Sequence, residues 1–255
     1  MTATPQKAPY VPGTYVKQRP DYALTAEKYM EALEKRRLAA ASAKETSAEF
    51  PPTICFSRKI GVGALEIADK IAPKIGYRVA DRLILERIVA KKDLSRKTVK
   101  IFDECYPGKL TELAVFLFGE KSFTLGDYTK ALFGSVLTLA EDEPTIFVGR
   151  GSHLILPRER VLAVRCICSK AYRVKRLGTI LKVPESEAVK KLDRADNEQR
   201  EFYKKVFNRK DASPYEFDLV LNMDFIRAPE SAAAIVAKAF RVQFKGEVPM
   251  SGVCA

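Results

Sequence analysis

The chain has 255 residues, 47% of them hydrophobic, and a formal net charge of +12. That length can bury a core in one domain or two, and the charge favours anionic partners: nucleotides, nucleic acid or an acidic membrane. Five cysteines, at 55, 105, 166, 168 and 254, contain no C-x-x-C pair, which argues against a disulfide framework or zinc spacing and fits a reducing cytoplasm.

The opening residues, MTATPQKAPY, lack the apolar core of a signal peptide, and no run approaches the roughly 18–20 apolar residues that span a bilayer. A cytoplasmic protein without a membrane segment is expected. Residues 1 to about 22 have no period and read as an extended arm. Thr25 to Lys44 reads as a helix with Thr25 as N-cap and a narrow stripe of Tyr29, Met30, Leu33 and Ala40. Such a helix packs on the domain or contacts another chain. Residues 45–52 read as a linker ended by Pro51-Pro52. Residues 1–50 thus form an arm and helix, 51–245 the domain, and 246–255 a tail.

The stretch TICFSRKIGVGALEIADKIAPKIGYRVA, residues 53–80, reads as strand, glycine loop, helix, strand. Thr53 to Phe56 is a buried-strand pattern. Leu65, Ile67, Ala68, Ile71, Ala72 and Ile75 form a helical stripe, and Gly76 is a C-cap. A glycine loop feeding a helix N-terminus aims N–H groups and a positive dipole at one spot, which suits phosphate. The match to a P-loop, G-x-x-x-x-G-K-[ST], is partial. With Gly63 as the second glycine, Arg58 takes the first glycine's place, Ala64 the lysine's and Leu65 the hydroxyl's. Arg58 and Lys59 are the cations that would replace the missing charge. Glycines in a βα unit that binds nothing are the other reading.

Asp81 opens a helix to Lys92, and Ser95 caps SRKTVKIFDE. Pro107-Gly108 marks a turn. Residues 109–140 are mostly helical, their aromatics Phe116, Phe118, Phe123, Tyr128 and Phe133 reading as core. Further strands are expected at 145–151, 161–168 and 217–223, and helices at 170–181, 184–206 and 229–244. Near-continuous apolar strands alternating with helices imply a parallel α/β sheet, whose ligands bind at the carboxyl ends of the strands. The glycine loop, Gly149-Arg150-Gly151 and Ser169 all follow strands. From Arg165 to Lys210 there are 14 Lys/Arg against 6 Asp/Glu, a solvated face, a nucleic-acid footprint or a phosphate clamp. The lone His153 reads as a packed or exposed neutral residue, and Asp103-Glu104 as a helix end or a Mg²⁺ ligand pair.

SRKIGVGALEIADKIA, ADRLILERI, IFVGRGSHLILP, SKAYRVKRL, DNEQREFYKK and ASPYEFDLVLN follow one another over some 190 residues. In this order they resemble the cytidylate kinase-like family of P-loop nucleotide kinases, from about Pro52 to Phe244. The resemblance implies a P-loop NTPase-like parallel sheet flanked by helices, with a helical acceptor-binding segment and a lid at about 180–200. It implies a nucleoside monophosphate kinase, moving the γ-phosphoryl of ATP, with Mg²⁺, to CMP or dCMP. Ser57, Arg58, Lys59, Gly61 and Gly63 then bind the ATP phosphates. Asp81, Arg87 and Arg150 bind the acceptor. Arg150, Arg173, Arg176 and Arg200 are the catalytic cations, with Asp196 and Arg200 on the lid.

Two departures stand against the pattern: the loop lysine is absent, and Gly151 and Val148 stand where classical cytidylate kinases have aspartates. The alternative is a nucleotide-binding regulatory or interaction protein with weak or no turnover. A nucleic-acid binder is not expected, because no helix-turn-helix, zinc or RNA-binding signature accompanies the charge.

Overall fold

The computed structural model describes residues 22–40, 50–91, 96, 97, 99, 100, 126–210 and 212–247, with side chains of 36–40 left aside. The N-terminal arm, most of the linker, the Ser95 cap, Asp103-Glu104, Pro107-Gly108, Phe116, Phe118, Phe123 and the end of the tail lie outside the described residues.

Five strands form one sheet: β1 (Thr53–Arg58), β2 (Arg78–Asp81), β3 (Thr145–Val148), β4 (Val161–Ile167) and β5 (Leu219–Asn222). Their order is β2-β3-β1-β4-β5, and every neighbouring pair is parallel. Seven helices flank it among the described residues: α1 (Tyr22–Ala40), α2 (Ala64–Ile75), α3 (Arg82–Ala90), α4 (Asp127–Asp142), α5 (Lys170–Leu181), α6 (Glu185–Phe207) and α7 (Pro229–Gln243). This is the α/β architecture of the P-loop NTPase-like folds.

The apolar strands are buried on both faces because successive side chains point to opposite sides. Ile54, Phe56, Ile146, Val148, Leu162 and Val164 pack beneath α2 and α7. Cys55, Phe147, Val161 and Ala163 pack beneath α1, α3, α4 and the end of α6. Burial pushes the Cys55 and Cys166 thiols up to about 12, so both are protonated core residues. A smaller cluster joins Ile60 of the glycine loop to α5 and α6 through Val174, Leu177, Leu192 and Ala195.

Several boundaries differ from expectation. β1 runs on through Ser57 and Arg58, because these pair in register with Arg165 and Cys166 of β4. β3 stops at Val148, because Gly149, Arg150 and Gly151 have φ of 92°, 56° and 68°, and a left-handed run cannot continue a strand. β4 ends at Ile167, and β5 covers only Leu219–Asn222. α1 begins at Tyr22, so Thr25 lies inside it rather than capping it. That helix packs on the domain: Ala26, Met30 and Leu33 join the core, and Lys91 bonds Glu27 at 2.7 Å.

Arg78 ties α1, α4 and the sheet together. Its Nε donates to Thr145 Oγ1 at 2.8 Å, its Nη1 to Asp142 and Glu143 at 3.0 and 2.9 Å, and its Nη2 to the Leu139 carbonyl at 2.8 Å. The guanidinium lies 4.4 Å from the Tyr29 ring centroid. His153 is buried beside Glu216, with Nε2 3.4 Å from Oε2. Burial holds its pKa below the ordinary value, so the imidazole is neutral and packed, as expected.

Arg78→Met is expected to cost about 3–5 kcal/mol in urea unfolding, since it removes one member of the buried ion pair with Asp142; a loss below about 1 kcal/mol would show the hub to be dispensable. His153 gives a pH signature. Its folded pKa is depressed, so its contribution is present above the unfolded value of about 6.5 and is lost as pH falls through that value toward the folded one. The melting temperature should drop on acidification from pH 7.5 to 5.5, and His153→Gln should flatten that slope.

Candidate active site

The glycine loop connects β1 to α2. Ile60 and Val62 bury their side chains and so pin the loop at two points. Gly61 lies against α5: a Cβ there would stand 3.4 Å from Arg173 Cβ. Gly63, at φ 89°, caps α2, its carbonyl accepting from the Glu66 and Ile67 amides at 3.1 and 3.4 Å. Ala64 and Leu65, at the lysine and hydroxyl positions of a P-loop, are 1% and 4% exposed. Both belong to the core beneath α2.

The loop mouth holds an ion pair. Glu66, in the first turn of α2, accepts from Arg176 Nη2 at 2.5 Å. A Cβ on Gly63 would lie 3.4 Å from both Arg176 Nη2 and Glu66 Oε2, so it is the left-handed φ of 89° rather than lack of space that calls for glycine here. A carboxylate at that position complements the helix dipole. One turn earlier on α5, buried Arg173 donates from Nη1 to both oxygens of Asp196 at 2.9 Å and to the Ile60 carbonyl at 3.3 Å. The structure thus places Arg173, Arg176 and Asp196 together as a clamp between the α5–α6 hairpin and the loop.

Ser57 is not in the loop. It is a buried β1 residue that accepts from Arg165 Nη1 at 2.6 Å. The reason is the register: Ser57 and Arg165 are partners across β1 and β4, and both turn toward α6.

A cleft at the carboxyl edge of β2, β3 and β1 gathers three guanidiniums. Arg58 ends β1, Arg82 follows β2 and Arg150 follows β3; Glu198, Gln199 and Phe202 of α6 close it from above. Arg150 donates to Glu86 at 2.5 Å and lies 4.2 Å over the Phe202 ring. Its Nε is buried with no hydrogen-bond partner among the described residues. Glu86 also accepts from the Tyr128 hydroxyl at 2.8 Å. Burial first, and then the Arg150 charge, lowers the pKa of Arg82. Gln199 Nε2 donates to the Arg58 carbonyl at 2.8 Å, tying the roof to the floor. Like charges this close, in a site walled by protein, form a place where an oxyanion is stabilised.

Arg82 was not legible as a site residue, whereas Arg87 was expected. The structure places Arg87 on α3 facing α1, 3.7 Å from Glu27 and outside the cleft. The available signal was position: Arg82 directly follows a strand end, and a residue five farther along a helix points elsewhere. Asp81 is buried and accepts from the Ile84 amide at 3.0 Å, so it caps α3 in this structure. Arg200 is exposed on α6, bonded to the Asn197 side chain, and lies with Lys59 beside a separate cavity.

Gly151 explains the departure at the expected cytosine-reading position. Its φ is 68°, and a Cβ there would fall 2.4 Å from Cε2 and Cζ of Phe207. Phe207 stacks on Phe133 at 5.8 Å between ring centroids. An aromatic ring occupies the place a longer side chain would need. Val148 is a buried strand residue. No group of three or more His, Cys, Asp or Glu side chains among the described residues could hold a metal ion. No helix among them is long and apolar enough to cross a membrane.

No curated protein matches the chain. A solved structure that it resembles is the crystal structure of an uncharacterized protein from Eubacterium ventriosum ATCC 27560, at 17% identity and a TM-score of 0.59. That likeness covers 75% of this chain and 99% of the other, and it concerns the fold. Residues 53–225, which include the glycine loop, the three cleft arginines and the α5–α6 hairpin, match the Cytidylate kinase-like family. The chain is a member of that family.

Proposed function

We propose that the protein is a phosphotransferase that binds a nucleoside monophosphate through Arg58, Arg82 and Arg150 and phosphorylates it from a nucleoside triphosphate. The observation that carries this reading is the convergence of the three guanidiniums at adjacent strand ends, beneath a helical roof. Guanidinium forks suit phosphate oxygens, and phosphoryl transfer asks a protein chiefly for positioning and charge stabilisation. Arg150, left-handed and held by Glu86 and Phe202, is the pre-organised member. Family membership supports nucleotide kinase chemistry at the same edge of the sheet.

The cleft as it stands has a volume of about 90 Å³. Ligand pockets are usually about 300–1,000 Å³, so a nucleotide enters only if α6 moves away from the strand ends. The Gln199 to Arg58 bond and the Phe202 to Arg150 contact are what must open. Return of the α5–α6 hairpin would then expel water from the phosphates. Arg173, Arg176 and Asp196 act here as the clamp that defines the closed position.

The acceptor base is not read by a carboxylate at residue 151, where Phe207 leaves no room. The residues present do not fit a P-loop magnesium site: the hydroxyl position is the buried Leu65, and Glu66 beside it is taken by Arg176. The proposed donor remains ATP, accompanied in solution by Mg²⁺.

A second reading is a nucleotide-binding regulatory or interaction protein with weak or no turnover. Buried Ala64 in the lysine position and the Glu66–Arg176 pair across the loop favour it.

The deciding experiment is a coupled ADP-release assay with ATP and Mg²⁺ across CMP, dCMP, UMP, AMP and GMP. Release dependent on one monophosphate, and absent in Arg150→Met, is expected; no release with any acceptor while ATP raises the melting temperature would favour the second reading. Arg150→Met should weaken monophosphate binding about 10–100-fold, the loss of one or two charge-assisted hydrogen bonds, with little change in melting temperature. Unchanged affinity would remove Arg150 from the site. Gly151→Ala should cost about 1–3 kcal/mol through overpacking against Phe207, with left-handed strain added. Adding Phe207→Ala should relieve part of the Gly151→Ala penalty, which calorimetry of the single and double variants would show.

A further inference from the structure

The sheet ends at β5, which is hydrogen-bonded to β4 alone. Its outer row of backbone N–H and C=O groups therefore faces no further strand among the described residues. An open edge is a template for pairing, and folded proteins usually blunt it with lysine, proline or an inward-pointing charge. β5 reads Leu-Val-Leu-Asn and carries none of these. Val220, within it, is 45% exposed. Tyr215, in the helical turn that leads into the strand, is 96% exposed, and Phe225, in the turn that leaves it, is 84% exposed. Single apolar residues at a surface are ordinary, but three gathered along one sheet edge mark a contact surface.

Charge points to what that surface meets. The chain carries a net +12, so two copies repel one another over much of their surface. Residues 214–226 hold no Lys or Arg. Their three carboxylates are engaged within the chain: Glu216 with His153 and Arg209, Asp218 with Arg158 and the Ala163 amide, and Asp224 with the Ser169 amide and hydroxyl. The segment thus offers a second copy neither a cation nor a carboxylate without an internal partner.

Spacing gives the same answer. Tyr215 and Phe225 stand five residues before and five after Val220. A two-fold axis at Val220 sets the strand antiparallel to its copy, with Leu219 opposite the partner's Leu221 and Tyr215 beside the partner's Phe225. Such an interface is self-complementary, as two-fold symmetry demands. Four paired residues hold little alone, so the rings must supply the area. An aromatic side chain buries about 150–250 Å². The four rings of a pair then account for about 600–1,000 Å² of the roughly 1,200–2,000 Å² in a stable interface.

We propose that β5 is a dimerisation edge, occupied by β5 of a second copy of this chain in antiparallel pairing, so that two five-stranded sheets join into one. The arginine cleft lies at β2, β3 and β1, away from this edge, and stays open in such a dimer. The inference does not depend on phosphoryl transfer in that cleft.

The test is the mass of the full chain by light scattering and sedimentation over a range of concentrations, with hydrogen exchange on the same samples. A species of twice 28.5 kDa whose population rises with concentration is expected, with slower exchange of the β5 amides as it forms. Val220→Lys installs the charge that such edges normally carry. Tyr215→Ser/Phe225→Ser removes the rings from positions too exposed to matter to the core. Each should raise the dimer dissociation constant at least about tenfold. Val242→Ser, 54% exposed on α7, should leave it unaltered. A mass of 28.5 kDa at every concentration, a dimer that survives in the ring variant, or one lost equally in Val242→Ser would overturn the proposal. So would a monomer whose β5 amides are already slow to exchange, which would assign the edge to a segment of the same chain. Should Val220→Lys fail to fold, the ring variant decides alone.

Discussion

Three guanidiniums held at the ends of adjacent parallel strands repel one another, and the architecture around them is arranged to keep them there. Glu86 supplies Arg150 with a countercharge, and the Phe202 ring supplies a face. Gln199 holds the roof by bonding the Arg58 backbone rather than a charged group. The pKa of Arg82 is lowered by burial first and then by the neighbouring Arg150 charge. The constraint that makes this possible is the parallel register of β2, β3 and β1, which brings three chain-distant arginines to one edge.

The α5–α6 hairpin is the second structural decision. Charge that looked like a uniform basic run divides into distinct tasks. Arg173 and Arg176 are tied to Asp196 and Glu66 and fasten the hairpin to the glycine loop. Lys59, Arg165, Arg200 and Lys210 surround a cavity of their own. Buried ion pairs of the first kind define a position more than they add stability. Cations of the second kind raise the local potential where the chain offers one carboxylate.

Phe207 shows how a departure from a family pattern can be accommodated rather than left as a gap. Gly151 has no side chain, its backbone is left-handed, and the Phe207 ring fills the space against Phe133. The glycine and the phenylalanine lie far apart in sequence and are one feature in space. The same holds at the glycine loop, where Ala64 and Leu65 are absorbed into the core under α2. The site is thereby left without the cation and hydroxyl of a P-loop, and its charge comes from arginines at the ends of β1, β2 and β3.

Local periodicity and turn chemistry made the strands, most helices, the Gly76 cap and the parallel α/β class legible from the sequence, because each follows from residues within one or two turns of each other. Arg150 was legible as well, since a cation between two glycines at a strand end has little packing purpose. What the sequence could not show was partnership. Arg82 and Arg87 sit on one short helix and differ in which neighbour they meet, cleft or α1. Ser57 reads as a loop residue until β4 places Arg165 opposite it. The sequence by itself determined which elements form and which face of each is apolar. Only the tertiary structure decided which charges meet, because that depends on strand order and register, quantities that no local pattern carries.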